Sequence, residues 1–142
     1  MNRIFALLHA ALGLLLALTP FVLWPVCDRL TPDGGHMACY YSGLMAVCLG
    51  ASVVALDALY VLSRSRAARL VSCVVALVVP ALMHALAIGA LRISGDGWAI
   101  GLCGMDTMAC RAVTVPHAIW ISIGMCLLSA FWSVWSMVAG DR

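Results

Sequence analysis

"CYYSGLMAVCLGASVVALDALYVL" (residues 39–62) runs for 24 residues with a single carboxylate, Asp57, and no basic side chain. At a rise of about 1.5 Å per residue, a helix of that length spans about 36 Å, more than a hydrocarbon layer about 30 Å thick requires. The rest of the chain has the same character. Of its 142 residues, 65% are hydrophobic and 10% charged, where soluble domains average roughly 25% charged. A soluble fold of this size has too little interior to hide so much apolar surface, so lipid is the expected solvent. The arginines are scattered and the net charge of +2 is small, which argues against nucleic acid as a partner.

Three further runs have membrane-spanning length, giving expected spans at about 4–25, 39–62, 70–91 and 113–139. The first begins after Met1-Asn2-Arg3 and exceeds a usual signal-peptide core. No small-x-small site precedes Cys27, so the segment reads as a retained anchor. The outer loops, 26–38 and 92–112, hold the turn-forming residues, including the stretch "CDRLTPDGGH" at 27–36. "SRSRAAR" (63–69) is a tight basic turn. Arg64, Arg66 and Arg69, with Arg3 and Arg142, place that turn and both termini in the cytoplasm by the positive-inside rule. The expected fold is therefore an all-α membrane protein. It has one domain over 1–142, four transmembrane helices as two antiparallel hairpins, and N and C termini cytoplasmic. The expected location is the bacterial inner membrane. Trp24, Tyr40, Tyr41 and Trp98 fall at one interface of this arrangement, and Tyr60, Trp132 and Trp135 at the other. Small residues at spacing four (Ser42, Ala46, Gly50; Ala81, Ala85, Gly89) suit close helix packing or docking of another membrane subunit.

The seven cysteines divide by position. Cys48, Cys73 and Cys126 lie inside spans, where cysteine behaves as a small hydrophobe. Cys27, Cys39, Cys103 and Cys110 lie in or beside the outer loops, two per loop. Facing an oxidising compartment, these four are disulfide candidates with three possible pairings. The local pairing, Cys27–Cys39 and Cys103–Cys110, closes the shortest loops, each bond worth about 2–3 kcal/mol on the chain-entropy model. Two other readings stand beside it. Cys39 and Cys110 each open a span at a helix N-terminus, where partial positive charge favours thiolate and hence exchange chemistry. His36, Met37, Met105 and Met108 supply soft donors near the same cysteines, which suits copper. The triplet Met-Ala-Cys occurs in both loops, at 37–39 and 108–110, as a duplicated two-helix unit would leave it.

Ionisable residues inside spans are costly and mark sites by default. His9 and Asp57 fall at similar depth near the inner boundary, so they are placed to pair or to relay a proton. His84 and His117 fall near the outer boundary, with Met45 and Met83 at similar depth, as a candidate pocket for metal or haem. Pro80, four residues before His84, frees the carbonyl of Ala76 and is expected to kink span three. The sequence order shows no Ser-His-Asp set, paired carboxylates or phosphate-binding loop, so no hydrolytic or phosphoryl-transfer catalysis is expected.

Cys27, Met37-Ala38-Cys39, and Cys103-Gly104-Met105-Asp106-Thr107-Met108-Ala109-Cys110 followed by Thr114 and Pro116 carry a resemblance. Over its whole length the chain resembles a family of small bacterial four-helix membrane proteins, domain of unknown function 4418. Here Ala38 stands where the family's usual basic residue precedes the first paired cysteine. The resemblance implies a companion of macrolide-exporter-type ABC permeases, in settings suggestive of iron or other metal uptake. Four spans with two cysteines per outer loop also resemble the quinone-linked disulfide-generating enzymes. Those carry a Cys-x-x-Cys pair beside a quinone, whereas the pairs here are 12 and 7 residues apart. The expected function is a non-enzymatic accessory subunit of a transport complex, without a cofactor. Its expected partners are the lipid bilayer and other membrane subunits. The alternatives are a quinone-linked thiol–disulfide oxidoreductase and a copper- or haem-binding protein.

Overall fold

The computed structural model describes residues 2–27, 30–32, 34–63, 66–96, 98–102 and 107–138. Four helices dominate it: α1 (Asn2–Leu18), α2 (Ala38–Ser63), α3 (Arg66–Ala87) and α4 (Val115–Val138). Counting their helical extensions, the segments Arg3–Leu23, Ala38–Ser63, Leu70–Ala87 and Cys110–Trp135 are long and apolar enough to cross a bilayer. The chain is a multi-pass membrane protein. Large apolar side chains such as Leu7, Leu14, Leu59, Val74 and Leu127 are more than half exposed, as faces solvated by lipid require.

The helices close into a ring, α1 and α3 each packing against α2 and α4. Phe5, near the start of α1, lies 5.6 Å from Phe131, and Tyr60 near the end of α2 lies 5.2 Å from Trp132 on α4. The start of α1 therefore sits beside the ends of α2 and α4. Between the helices the core is Leu16, Ala46, Val53, Val79, Met83, Leu86, Ala118 and Met125. The closest crossing is between α1 and α2. A Cβ on Gly50 would collide with the carbonyl oxygen of Gly13 and lie 2.7 Å from the amide of Ala17. The stripe Ser42, Ala46, Gly50 is buried in this packing, whereas Ala81 of the second stripe is exposed. Trp132 is 1% exposed, stacked against Phe5 inside the ring.

Local chemistry explains where the helices stop. Pro20 has no N–H, so α1 widens into a π-helical turn over Thr19–Leu23, closed by Trp24 N–H to Thr19 O at 2.8 Å. The third span ends at Ala87, short of the expected 91. Gly89 takes a positive φ of 73°, and the amides of Gly89, Ala90 and Leu91 fold back on Leu86 and Ala85 carbonyls. α3 continues through Pro80 as one helical element. The fourth span begins early, with a π-helical turn over Cys110–Thr114.

The segment read as an irregular loop from 92 onward contains an antiparallel hairpin, β1 (Ile93–Gly95) with β2 (Trp98–Ile100), in the register Ile93↔Ile100 and Gly95↔Trp98. Asp96-Gly97 between the strands is a strong hairpin dipeptide. The hairpin is fastened to α2 by Ser42, whose hydroxyl donates to Gly101 O (2.7 Å) and accepts from Gly101 N–H (2.9 Å).

Candidate functional site

Three segments converge where α1 ends and α2 and α4 begin. Cys27 follows the π-helical turn of α1, Cys39 is the second residue of α2, and Cys110 opens the turn into α4. Their sulfurs all lie within 4.8 Å of one another. Cys27 Sγ is 3.6 Å from Cys110 Sγ and 3.7 Å from Met108 Sδ, and Cys39 Sγ–H points to the Cys27 carbonyl at 3.7 Å. Cys39 and Cys110 are buried and Cys27 is half-buried. Thr114 sets the register: its hydroxyl donates to Trp24 O at 2.9 Å, tying the start of α4 to the end of α1. Cys39 and Cys110 both stand at helix starts, where the backbone dipoles favour negative charge on sulfur.

Of the local pairing expected from loop length, the Cys27–Cys39 half is absent from this arrangement, and the Cys103–Cys110 half involves a residue outside the described ones. An S–S bond is about 2.05 Å long, so 3.6 Å is a contact between separate sulfur atoms. Cys27 and Cys39 do not form a disulfide with each other. Among the described residues, Cys27 meets the Cys110 sulfur of the opposite loop, because Thr114 draws the two loop ends together. Cys103 and Met105 lie outside the described residues. Among the described residues this is the one group of His, Cys, Asp or Glu side chains close enough to share a metal ion.

Beneath the sulfurs is a small chamber of about 30 Å³, room for one water-sized body. Cys39, Cys110, Met83, Ala46 and Leu86 line it, with three hydroxyl residues. Each hydroxyl is engaged with backbone: Thr19 donates to Leu15 O, Ser42 to Gly101 O and Thr114 to Trp24 O. The chamber presents sulfur and hydrocarbon to whatever enters it.

The other soft-donor candidates lie apart from the cluster. His36 stacks on Tyr40 with ring centroids 4.0 Å apart, and its buried Nδ1 has no hydrogen-bond partner. Met37 is half-buried beside it. His117 stacks on Trp24 at 4.0 Å and donates from Nδ1 to Val113 O. His84 is exposed on α3 while its neighbour Met83 faces the core, so His84 and His117 form no shared pocket among the described residues.

At the opposite end of the bundle one residue from each helix meets in a buried node. His9 Nδ1–H donates to Asp57 Oδ2 (2.7 Å), and Ser72 Oγ–H donates to Asp57 Oδ1 (2.6 Å). The hydroxyl of Ser129 lies 2.9 Å from His9 Nε2. The carboxylate accepts from Nδ1, which leaves Nε2 to accept from Ser129. Sequence order gave no Ser-His-Asp set, yet three helices assemble one. Its geometry is that of a nucleophile, base and orienting carboxylate. Ser129 is 1% exposed, and through these hydrogen bonds the node links all four helices. Trp132 lies in the layer beyond it, its buried indole N–H without a partner among the described residues.

The model of a family described as Domain of unknown function (DUF4418) matches residues 9–136. The chain belongs to this family. That match takes in both the node and the sulfur cluster, from His9 to Cys110 and Ser129. No curated protein and no solved structure matches the DUF4418 chain.

Proposed function

We propose that the protein is a non-enzymatic membrane subunit of a transport system that receives a thiophilic metal ion at the sulfur cluster. One observation carries this reading: Cys27, Cys39 and Cys110, far apart in sequence, place their sulfurs within 4.8 Å, with Met108 beside them. Thiolates and thioethers bind soft ions in preference to magnesium, calcium or other hard ions. The arginine distribution supports placing this end of the bundle on the outer side of a bacterial inner membrane, where an arriving ion would first be met. The macrolide-exporter-type ABC permeases implied by the family resemblance are the proposed partners. The test is metal analysis of protein purified in lipid nanodiscs after exposure to thiophilic ions. The expected result is one ion per chain, lost in Cys39→Ser and Cys110→Ser. Chains that retain no ion under these conditions would overturn the reading.

A second reading is favoured by the 3.6 Å between Cys27 and Cys110 sulfurs. A shift of about 1.6 Å would join them as a disulfide. In that case the cluster exchanges disulfides with quinone as the electron acceptor. Thiol-dependent quinone reduction by purified protein, absent in Cys27→Ala, is its test.

A further inference from the structure

Resting on the metal reading above, we infer that the ion is monovalent copper, held by Cys27, Cys39 and Cys110 with the Met108 thioether as an outer fourth donor. Zinc and monovalent copper both take thiolates, so the assignment turns on what else surrounds the sulfurs.

The spacing of the sulfurs comes first. Three sulfurs around one ion at about 2.3 Å stand about 4.0 Å apart in a planar arrangement. The contact of 3.6 Å and the outer limit of 4.8 Å bracket that value. Cys27, Cys39 and Cys110 therefore need only small adjustments to close on an ion.

The remaining donors decide the coordination number. Zinc completes a tetrahedron with imidazole, carboxylate, a fourth thiolate or water. Among the described residues no His, Asp or Glu joins the cluster. The chamber below holds about one water-sized body, but its hydroxyls are committed to Leu15, Gly101 and Trp24 carbonyls. A water there would find few partners, and an ordered buried water normally makes about three hydrogen bonds. Among the described residues, Met108 Sδ stands 3.7 Å from Cys27 Sγ as an additional donor. A thioether is a poor ligand for zinc and a good one for monovalent copper. Among the described residues, an all-sulfur donor set over a dry apolar floor suits the same ion. The starts of α2 and α4, at Cys39 and Cys110, offset part of the thiolate charge that one monovalent ion leaves uncompensated.

The experiment uses the full chain in nanodiscs under anaerobic conditions. Monovalent copper is supplied as its acetonitrile complex and competed with bicinchoninate, with zinc(II) and iron(II) supplied separately. The expected result is one copper per chain with only sulfur in its first shell by X-ray absorption. Cys110→Ser should abolish retention, Met108→Leu should weaken it by roughly tenfold, and Cys48→Ser should leave it unchanged. Cys27→Ser, in a half-buried loop position, carries the test if a buried variant fails to fold. Stoichiometric zinc that copper does not displace would overturn the copper assignment and leave the metal reading standing. So would nitrogen or oxygen in the first shell. Loss of copper in Cys103→Ser as complete as in Cys110→Ser would show a fourth thiolate and overturn the three-cysteine site. Retention of none of the three ions would overturn both readings.

Discussion

Replacing His9 by leucine should destabilise the bundle more than replacing both His9 and Asp57. In the intact node Asp57 accepts from His9 at 2.7 Å and Ser72 at 2.6 Å, with 1% of its surface exposed. His9→Leu leaves the carboxylate buried with one hydroxyl. Breaking a buried pair from one side costs about 3–5 kcal/mol. Asp57→Leu leaves His9 with Ser129 and strips Nδ1–H of its acceptor, a buried unsatisfied donor worth about 1–3 kcal/mol. The double variant removes both demands. Ser72 and Ser129 can then turn to carbonyls of their own helices, as Ser52, Ser63 and Ser133 already do. Apolar replacement of a whole buried pair is often neutral or stabilising. The double variant should therefore be more stable than His9→Leu, with a coupling above about 2 kcal/mol. Hydrogen bonds between membrane helices average only about 0.6 kcal/mol in such cycles. Reversible unfolding in bicelles, followed by tryptophan fluorescence or steric trapping, measures all three variants. Additive losses, or a His9→Leu loss below about 1 kcal/mol, would refute the description of the node as a coupled, buried hydrogen-bonded pair.

Three other outcomes follow from the geometry. Gly50→Ala should cost about 1–3 kcal/mol in the same unfolding assay, because its Cβ would strike the α1 backbone at Gly13 and Ala17. Ser42→Ala should leave Gly101 N–H without its acceptor, speeding hydrogen exchange across β2 and costing about 1–3 kcal/mol. A cysteine at Ser94 in β1 should react with a membrane-impermeant maleimide in intact cells, and one at Ser63 should not, if the arginine-rich turn is cytoplasmic; the opposite pattern would invert the topology.

The four helices were legible because chain length and hydropathy leave few ways to solvate so much apolar surface. The helix ends were less so. Gly89 stops α3 through its positive φ, and Pro20 turns the end of α1 into a π-helical turn. These are backbone events with a weak signature in the spans' composition. The Asp96-Gly97 dipeptide carries a hairpin signal, but strands of three residues each are too short to show an alternating pattern beside it. The loop cysteines could be picked out as a set, but their partners could not. Loop length argues for neighbours in sequence, while the Thr114–Trp24 hydrogen bond brings Cys110 to Cys27 from 83 residues away. Similarly, His9 and Asp57 could be matched by depth, whereas Ser72 and Ser129 look like any other serines in an apolar helix.

The node also imposes an order on synthesis. His9 emerges 48 residues before Asp57, so a proton-bearing partner is already in the bilayer when the acidic helix arrives. A lone aspartate costs about 2.5–3.5 kcal/mol at the centre of an inserting helix and less toward the boundary where Asp57 falls, and the waiting histidine offsets part of that cost as α2 enters. Ser129 comes 120 residues after His9 and satisfies the last ring nitrogen. The node therefore lacks one of its four members until α4 is in place, so closure of the bundle waits on the last of these four helices.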